Sequence, residues 1–398
     1  MLPLHGAVAR HRAPERLRRG QLLLRRAASH APARAARRRC RTLGPVPAGG
    51  GCGGPRHTGR RDLPLGALQR NSTGVGARSL GDTVTRVLVL GAHGFLGSHV
   101  ATAARSEPSV DEVLTPTRTE LDLDAGVQPI SQSLDRMAPD VVLMCTGRLD
   151  GTASELVAAH AGAVATLLDA LGGLGRPVRL VRLGSAGEYG PVTWGESVRE
   201  THATWPVTAY GASHLAATHL LRAASLRGPV SGTTLRVFNP VGAGGHGPSL
   251  VGQVAARIRN AQVEGADEIV TAPLTTWRDL VDAEDVASAA IAAALVPGPP
   301  PAVVNIGSGR AIAVREVVTL LAELAGWRGT IREDGPAPSR SAGVGWMQAD
   351  IALAAESLGW TPRRTLLDSL REIWADSHHQ PAAATSASIA SPHQKDAS

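Results

Sequence analysis

The segment Val87-Leu-Val-Leu-Gly91-Ala-His-Gly94-Phe-Leu-Gly97 constrains this chain more than any other. Four apolar residues in a row, without alternation, suit a strand covered on both faces of a parallel sheet. Three glycines spaced three apart follow, and Gly94–Arg105 then reads as a helix. A strand that turns this sharply into a helix needs glycine for its torsion angles and for close approach of a ligand to the helix N-terminus. The N–H groups there favour an anion, and the pyrophosphate of a dinucleotide is the ligand that such a turn suits. Gly91, Gly94, Phe95, Leu96 and Gly97 are therefore the expected cofactor-binding turn. The spacing is GxxGxxG rather than GxGxxG. Glycine makes up 45 of 398 residues, so this triple carries weight only through its place between strand and helix.

The alternation continues downstream. Glu112–Leu114, Asp140–Cys145, Val178–Leu183, Thr233–Val237 and Val303–Ile306 read as strands. Ala153–Leu171, Pro206–Leu226, Leu250–Ile258, Asp282–Leu295 and Val314–Leu324 read as helices. This order predicts an α/β fold, a Rossmann doubly wound parallel sheet with a smaller C-terminal substrate-binding α/β subdomain. Residues 84–240 are expected to hold the dinucleotide and the catalytic side chains. Residues 241–376 are expected to be mainly substrate-binding, with about 276–306 returning to the first unit. The tail from 377 to 398 is Ala/Ser/Pro/His-rich and is expected to be disordered.

Residues 1–83 hold 17 arginines against three acids, a balance of +14, and the rest of the chain is at −7. The high pI therefore belongs to the leader, and nucleic-acid binding is not expected of the remainder. An Arg-rich, acid-poor leader without periodicity fits a transit peptide, a basic binding tail, or upstream DNA translated from a wrongly chosen start. The last is favoured, because a single lysine, Lys395, stands against forty arginines, a bias typical of GC-rich coding. The leader is then dispensable for folding. Cys145 alone lies outside the leader, so no disulfide framework or zinc pattern is expected, and no metal. No apolar run is expected to approach the roughly 18 residues of a membrane span. A cytoplasmic setting follows.

Chemistry concentrates around the chain's two tyrosines. Tyr189 closes Gly184-Ser-Ala-Gly-Glu-Tyr-Gly190, and Tyr210 opens Tyr-Gly-Ala-Ser-His214. A serine and a tyrosine after a dinucleotide turn suit hydride transfer at a hydroxyl or ketone. Ser185 would polarise the substrate oxygen, and Tyr210 would carry the proton. A tyrosine with an ordinary pKa near 10 needs a neighbouring cation for that work. Position i+4 on the helix, where a lysine would serve, holds His214. Histidine can donate to a ribose, but near neutral pH it is mostly uncharged. Activation of Tyr210 is then weaker or acid-dependent, and His214→Lys is expected to raise turnover. At the end of the second strand no carboxylate appears, whereas Arg118 can meet a 2′-phosphate; NADP(H) is favoured over NAD(H). Asp122 would cap the adenine edge or begin the next helix.

Taken together, Gly91-Ala-His-Gly94-Phe-Leu-Gly97, Leu121-Asp-Leu-Asp124, Gly184-Ser-Ala-Gly-Glu-Tyr-Gly190, Tyr210-Gly-Ala-Ser-His214, Leu235-Arg-Val-Phe-Asn-Pro240 and Trp277-Arg-Asp-Leu-Val-Asp-Ala-Glu-Asp285 resemble the extended short-chain dehydrogenase/reductases. The likeness runs from about Val84 to Trp374 and is to the nucleotide-sugar epimerase, dehydratase and reductase group, most of all to the GDP-4-keto-6-deoxymannose reductases. It implies that Asn239 lies against a nucleotide-sugar and that Arg278 contacts the substrate diphosphate. Dehydratases of the group need an Asp-Glu pair after the Ser/Thr. Ala186 and Gly187 stand there and carry no proton, and Glu188 comes one position late. The resemblance implies a reductase of a nucleotide-activated 4-keto-6-deoxy sugar, with a 4-epimerase second; a homodimer is the assembly considered. A catalytically silent dinucleotide-binding protein is the alternative of another class, kept open by His214.

Overall fold

The structure is a computed structural model that describes residues 85–245, 249–336 and 343–377. The leader, the tail beyond Ser377 and residues 246–248 and 337–342 lie outside the described residues.

Strand β1, Arg86–Leu90, shows why an unbroken apolar run is required. Val87 and Val89 enter one core, and Leu88 and Leu90 enter another on the opposite face. β2 (Glu112–Leu114) and β3 (Val141–Met144) flank it in parallel. β4 (Val178–Ser185), β5 (Val230–Val237) and β10 (Val303–Ile306) extend the sheet on the far side of β3. All five pairings are parallel, in the order β2-β1-β3-β4-β5-β10. The order reverses between β1 and β3, which opens a crevice at the strand C-termini where ligands of doubly wound sheets bind.

Helices cover both faces. α1 (Phe95–Ser106) and α6 (Ala283–Leu295) share the core of Val87 and Val89. α2 (Val127–Met137), α3 (Ala153–Gly172) and α4 (Ala209–Ser225) share the core of Leu88 and Leu90. α3 is interrupted by a π turn over Ala158–Gly162, a device frequent at functional sites. Its 20 residues, with mean hydropathy 1.3, are long and apolar enough to cross a membrane, which corrects the sequence expectation that no such segment exists. Here Val164, Leu167 and Leu171 are buried on the sheet, so α3 is a core helix.

Smaller elements follow β5. β6 (Pro240–Val241) pairs with β9 (Val281–Asp282). β7 (Glu268–Val270) pairs with β12 (Thr330–Arg332). β8 (Trp277–Asp279) lies between β11 (Ala311–Ala313) and β13 (Trp346–Met347). α5 (Leu250–Glu264), α7 (Val314–Leu324) and α9 (Leu366–Ser377) pack together, and α8 (Ala352–Leu358) packs near β10. α2, α8, α9 and the two- and three-residue strands after β5 were not expected from the sequence, whereas the three-residue β2 was. α2 buries only Ile130, Ser133 and Leu134 and carries Pro129 in its first turn, so its periodicity is faint. The short strands are stabilised by neighbours distant in sequence, which local pattern does not reveal.

Two glycines set the start of α1. Gly91 has φ of 80°, a left-handed value that disfavours side chains. A Cβ on Gly97 would lie 1.9 Å from the Gly91 carbonyl oxygen, so the helix packs directly on the turn. Gly97→Ala is expected to cost about 1–3 kcal/mol through overpacking and to displace the turn. Thermal unfolding and dinucleotide titration calorimetry on the variant should show a lower Tm together with weaker binding.

Candidate active site

β4 ends at Ser185, which caps a short 3-10 turn, Ala186–Glu188. Ser185 Oγ accepts from the Gly187 N–H at 3.1 Å, and Glu188 Oε1 accepts from the Ser185 N–H at 3.2 Å. The Glu188 side chain turns inward and is fully buried. Its Oε2 accepts from Arg236 Nε on β5 at 2.8 Å and from Thr218 Oγ1 on α4 at 2.9 Å. A Cβ on Gly184 would sit 2.7 Å from Glu188 Oε1, so glycine makes room for this carboxylate. Tyr189 is also internal. Its hydroxyl donates to Asn305 Oδ1 at 2.7 Å, and burial pushes it up to about 12.

α4 begins at Thr208, whose hydroxyl accepts from the Gly211 N–H at 3.1 Å. A Cβ on Gly211 would lie 2.3 Å from the Gly187 carbonyl oxygen, so helix and turn meet backbone to backbone. That approach places the Tyr210 ring over Gly187. A Cβ built there would be 3.5 Å from Tyr210 Cδ1 and 3.3 Å from Ser185 Oγ. Ser185 and Tyr210 are thus brought to one spot, and His214 follows with its ring centroid 4.6 Å from that of Tyr210.

His214 is buried, and its Nδ1 accepts from an Arg182 guanidinium nitrogen at 2.7 Å. Nε2 therefore carries the ring proton. His160, from the π turn of α3, lies 3.9 Å from His214 and edge-on to Tyr210 at 5.6 Å, centroid to centroid. His160 Nε2 accepts from the Arg148 N–H at 3.1 Å. Its Nδ1 bonds Ser213 Oγ at 2.8 Å, and that hydroxyl donates to the Tyr210 carbonyl. Both bonds require the neutral Nδ1–H tautomer. Burial, then the Arg182 charge, then His160 hold His214 well below the usual histidine range. Burial, then Arg182, lower His160 to about 4. The expectation of acid-dependent activation through a cationic His214 is corrected, because that imidazole faces a guanidinium. The expected benefit of His214→Lys falls with it, since an ammonium there would meet Arg182.

The dinucleotide turn fits its expected ligand. α1 starts at Gly94 with no side-chain cap and no acidic residue in its first turn, which leaves an anion-favouring helix end. Phe95 packs edge-on to His99 at 5.8 Å, and His99 Nε2 bonds the Ala243 carbonyl at 2.9 Å. Leu96 packs against the core. Arg118 stands in the exposed loop after β2, paired with Asp122 at 3.3 Å and Asp124 at 2.5 Å. Asp122 also accepts from the Asp124 N–H at 3.1 Å, and α2 starts later, at Val127.

Asn239 Nδ2 donates to the Asp279 carbonyl at 2.9 Å, tying the end of β5 to β8. Arg278 is buried on β8, donates to the Val344 carbonyl at 2.6 Å, and is lowered to about 10 by burial. Its neighbouring acids are committed elsewhere. Asp279 accepts from Ser308 Oγ at 2.7 Å and from the Gly309 and Ala349 N–H groups at 3.0 Å. Asp282 pairs with Arg364 at 3.2 Å and caps α6. Among the described residues Arg278 has no carboxylate in ion-pair range. No group of three His, Cys, Asp or Glu among the described residues is placed to hold a metal ion.

Sequence reasoning missed Arg182, His160 and the Arg236–Glu188 pair. Arginines interrupting the apolar strand Val178-Arg-Leu-Val-Arg-Leu183 were the available signal, because a covered strand admits a charge only with a partner.

A parallel sheet with a glycine turn at its switch point, and Ser185 beside Tyr210 at the next strand end, define a dinucleotide-dependent enzyme of the extended short-chain dehydrogenase/reductase type. Residues 87–307 match the NAD dependent epimerase/dehydratase family, and the chain belongs to that family. It is 37% identical over 316 residues to the dTDP-6-deoxy-L-talose 4-dehydrogenase (NAD(P)(+)) of Kitasatospora kifunensis, covering 75% of this chain and 97% of that one. It is 29% identical to the GDP-6-deoxy-D-mannose reductase of Pseudomonas aeruginosa, covering 73% and 96%. Among solved structures, RMD from Pseudomonas aeruginosa complexed with NADPH superposes with a TM-score of 0.65 at 25% identity, covering 74% and 97%.

The two neutral histidines make stability pH-dependent. The unfolded chain binds protons near pH 6.5 that the folded site refuses, so stability is full above that value and falls as pH drops. For His160 the window runs from 6.5 down to about 4. Urea unfolding of the cofactor-free protein should lose about 1.4 kcal/mol per pH unit for His160 in this window, with a further loss of the same sign from His214. His160→Gln should flatten the slope by one histidine's share.

Proposed function

We propose that this protein is an NADP(H)-preferring reductase of a nucleotide-activated 4-keto-6-deoxy sugar, acting in the cytoplasm as a homodimer. The observation that carries the reading is Ser185 and Tyr210 meeting over Gly187, with no acid at positions 186 and 187. Proton transfer to one oxygen is provided for, and proton transfer at neighbouring carbons is not. The full-length relatives, a 4-dehydrogenase of a dTDP-6-deoxy sugar and a GDP-6-deoxy sugar reductase, support the same carbonyl chemistry.

The dinucleotide, when bound, supplies the hydride. Gly91, Gly94 and Gly97, with the N-terminus of α1, hold its pyrophosphate. Ser185 Oγ already accepts the Gly187 N–H, so its own proton is available to the substrate carbonyl oxygen. Tyr210 gives its phenolic proton to that oxygen in reduction and takes it back in the reverse direction. The His214 Nε2–H is a neutral donor suited to a ribose hydroxyl. Arg278, a buried cation short of a counter-ion, takes the substrate diphosphate, and Asn239 lines the sugar side. Arg118 exchanges its carboxylate partners for a 2′-phosphate.

Purified protein should oxidise NADPH with dTDP- or GDP-4-keto-6-deoxyhexoses, and Tyr210→Phe should abolish turnover while leaving cofactor binding intact. Unimpaired reduction by that variant removes Tyr210 as the acid. Tight retention of oxidised cofactor without net NADPH consumption would mark the 4-epimerase, and binding without turnover the silent protein. Arg118→Ala should weaken NADPH binding by about 1–3 kcal/mol and NADH binding much less. Equal losses for both cofactors would show that Arg118 does not read the 2′-phosphate.

A further inference from the structure

We propose that Arg182, anchored on His214, is the positioning residue whose fixed positive charge prepares Tyr210 to release and recapture its proton. The inference rests on the reading of Tyr210 as the proton donor, but its test reads Tyr210 directly. Arg182 lies on β4, three residues before Ser185, and is 3% exposed. One guanidinium nitrogen donates to His214 Nδ1 at 2.7 Å, and another reaches Thr218 Oγ1 at 3.4 Å. The fork is thereby aimed at the same helix that carries Tyr210.

The charge is held between a buried carboxylate and the tyrosine helix. Glu188 is the carboxylate facing it, but the closest approach is 4.0 Å. The Glu188 oxygens are committed to Arg236, Thr218 and the Ser185 N–H. Arg236 on β5 also lies over the Tyr189 ring, 4.4 Å from its centroid. His160 on α3 and His214 on α4 are neutral and act as spacers of fixed orientation. Arg148, after β3, is paired with Glu155 at 3.2 Å. Burial works against the Arg182 charge, whereas Glu188 and Tyr210 both favour it, so Arg182 in turn favours the tyrosinate. Guanidinium does not deprotonate in proteins, and the charge therefore persists at every working pH.

The chain contains two tyrosines, which makes the test direct. Tyr189 is buried and ionises only near 12, so an ultraviolet tyrosinate titration of the cofactor-free protein resolves Tyr210, with Tyr210→Phe as the assignment control. The parent is expected to show one tyrosine ionising below the ordinary value near 10. Arg182→Met should move that midpoint up by about one pH unit or more, as removal of a close cation does. His214→Gln, which keeps a neutral acceptor for Arg182, should leave the midpoint below the ordinary value. Arg182→Lys, which keeps the charge, should recover much of the shift. An equal midpoint in parent and folded Arg182→Met overturns the proposal. Should Arg182→Met not fold, a parent Tyr210 that ionises at or above the ordinary value overturns it equally. Activity loss in Tyr210→Phe is a separate readout, so a failed catalytic assignment is distinguishable from a failed role for Arg182.

Discussion

Beneath the strand ends lies one buried carboxylate on which the site depends. Glu188 binds the strand β4 backbone through Ser185, β5 through Arg236 and α4 through Thr218. Three elements from separate parts of the chain are fixed to one charged group. Removing one partner of such a group is costly, on the order of 3–5 kcal/mol, because the other charge is left buried. The geometry of Ser185 and Tyr210 follows from this tie together with the glycine contact between Gly187 and Gly211.

The same network explains how a histidine can stand where the tyrosine would be served by a cation. A buried strand residue, Arg182, reaches the position from beneath. His214 and His160 remain neutral there, stacked and with defined tautomers. The arrangement exchanges a flexible ammonium for a rigid fork whose desolvation is offset by Glu188 and by bonds to His214 and Thr218. A charge held in that way costs no reorganisation when the proton moves.

The surroundings of Arg278 follow a different logic. Arg278 is buried on the middle strand of a three-stranded sheet and bonds backbone carbonyls, which neutralise no charge. Asp279, adjacent in sequence, is consumed by Ser308, Gly309 and Ala349 and so organises the loop after β10. The proposed role of Arg278 in binding the substrate diphosphate rests on this guanidinium being kept in place without a carboxylate, since a phosphate can pair with its fork.

Elements that depend on neighbours in the chain were readable in advance. The run Val87-Leu-Val-Leu, the glycines at 91, 94 and 97 and the strand leading into Ser185 specify a covered parallel strand, a dinucleotide turn and a strand-end hydroxyl, because torsion angles and side-chain periodicity are local. Family membership was legible from the same motifs. What no local pattern contains is which distant side chains share a space. His160 meets His214 only because a π turn rotates it toward α4, and Arg182 meets His214 only through the packing of α4 on β4. Those contacts turned His214 from a candidate cation into a neutral acceptor, since burial and an adjacent guanidinium outweigh the intrinsic basicity of imidazole.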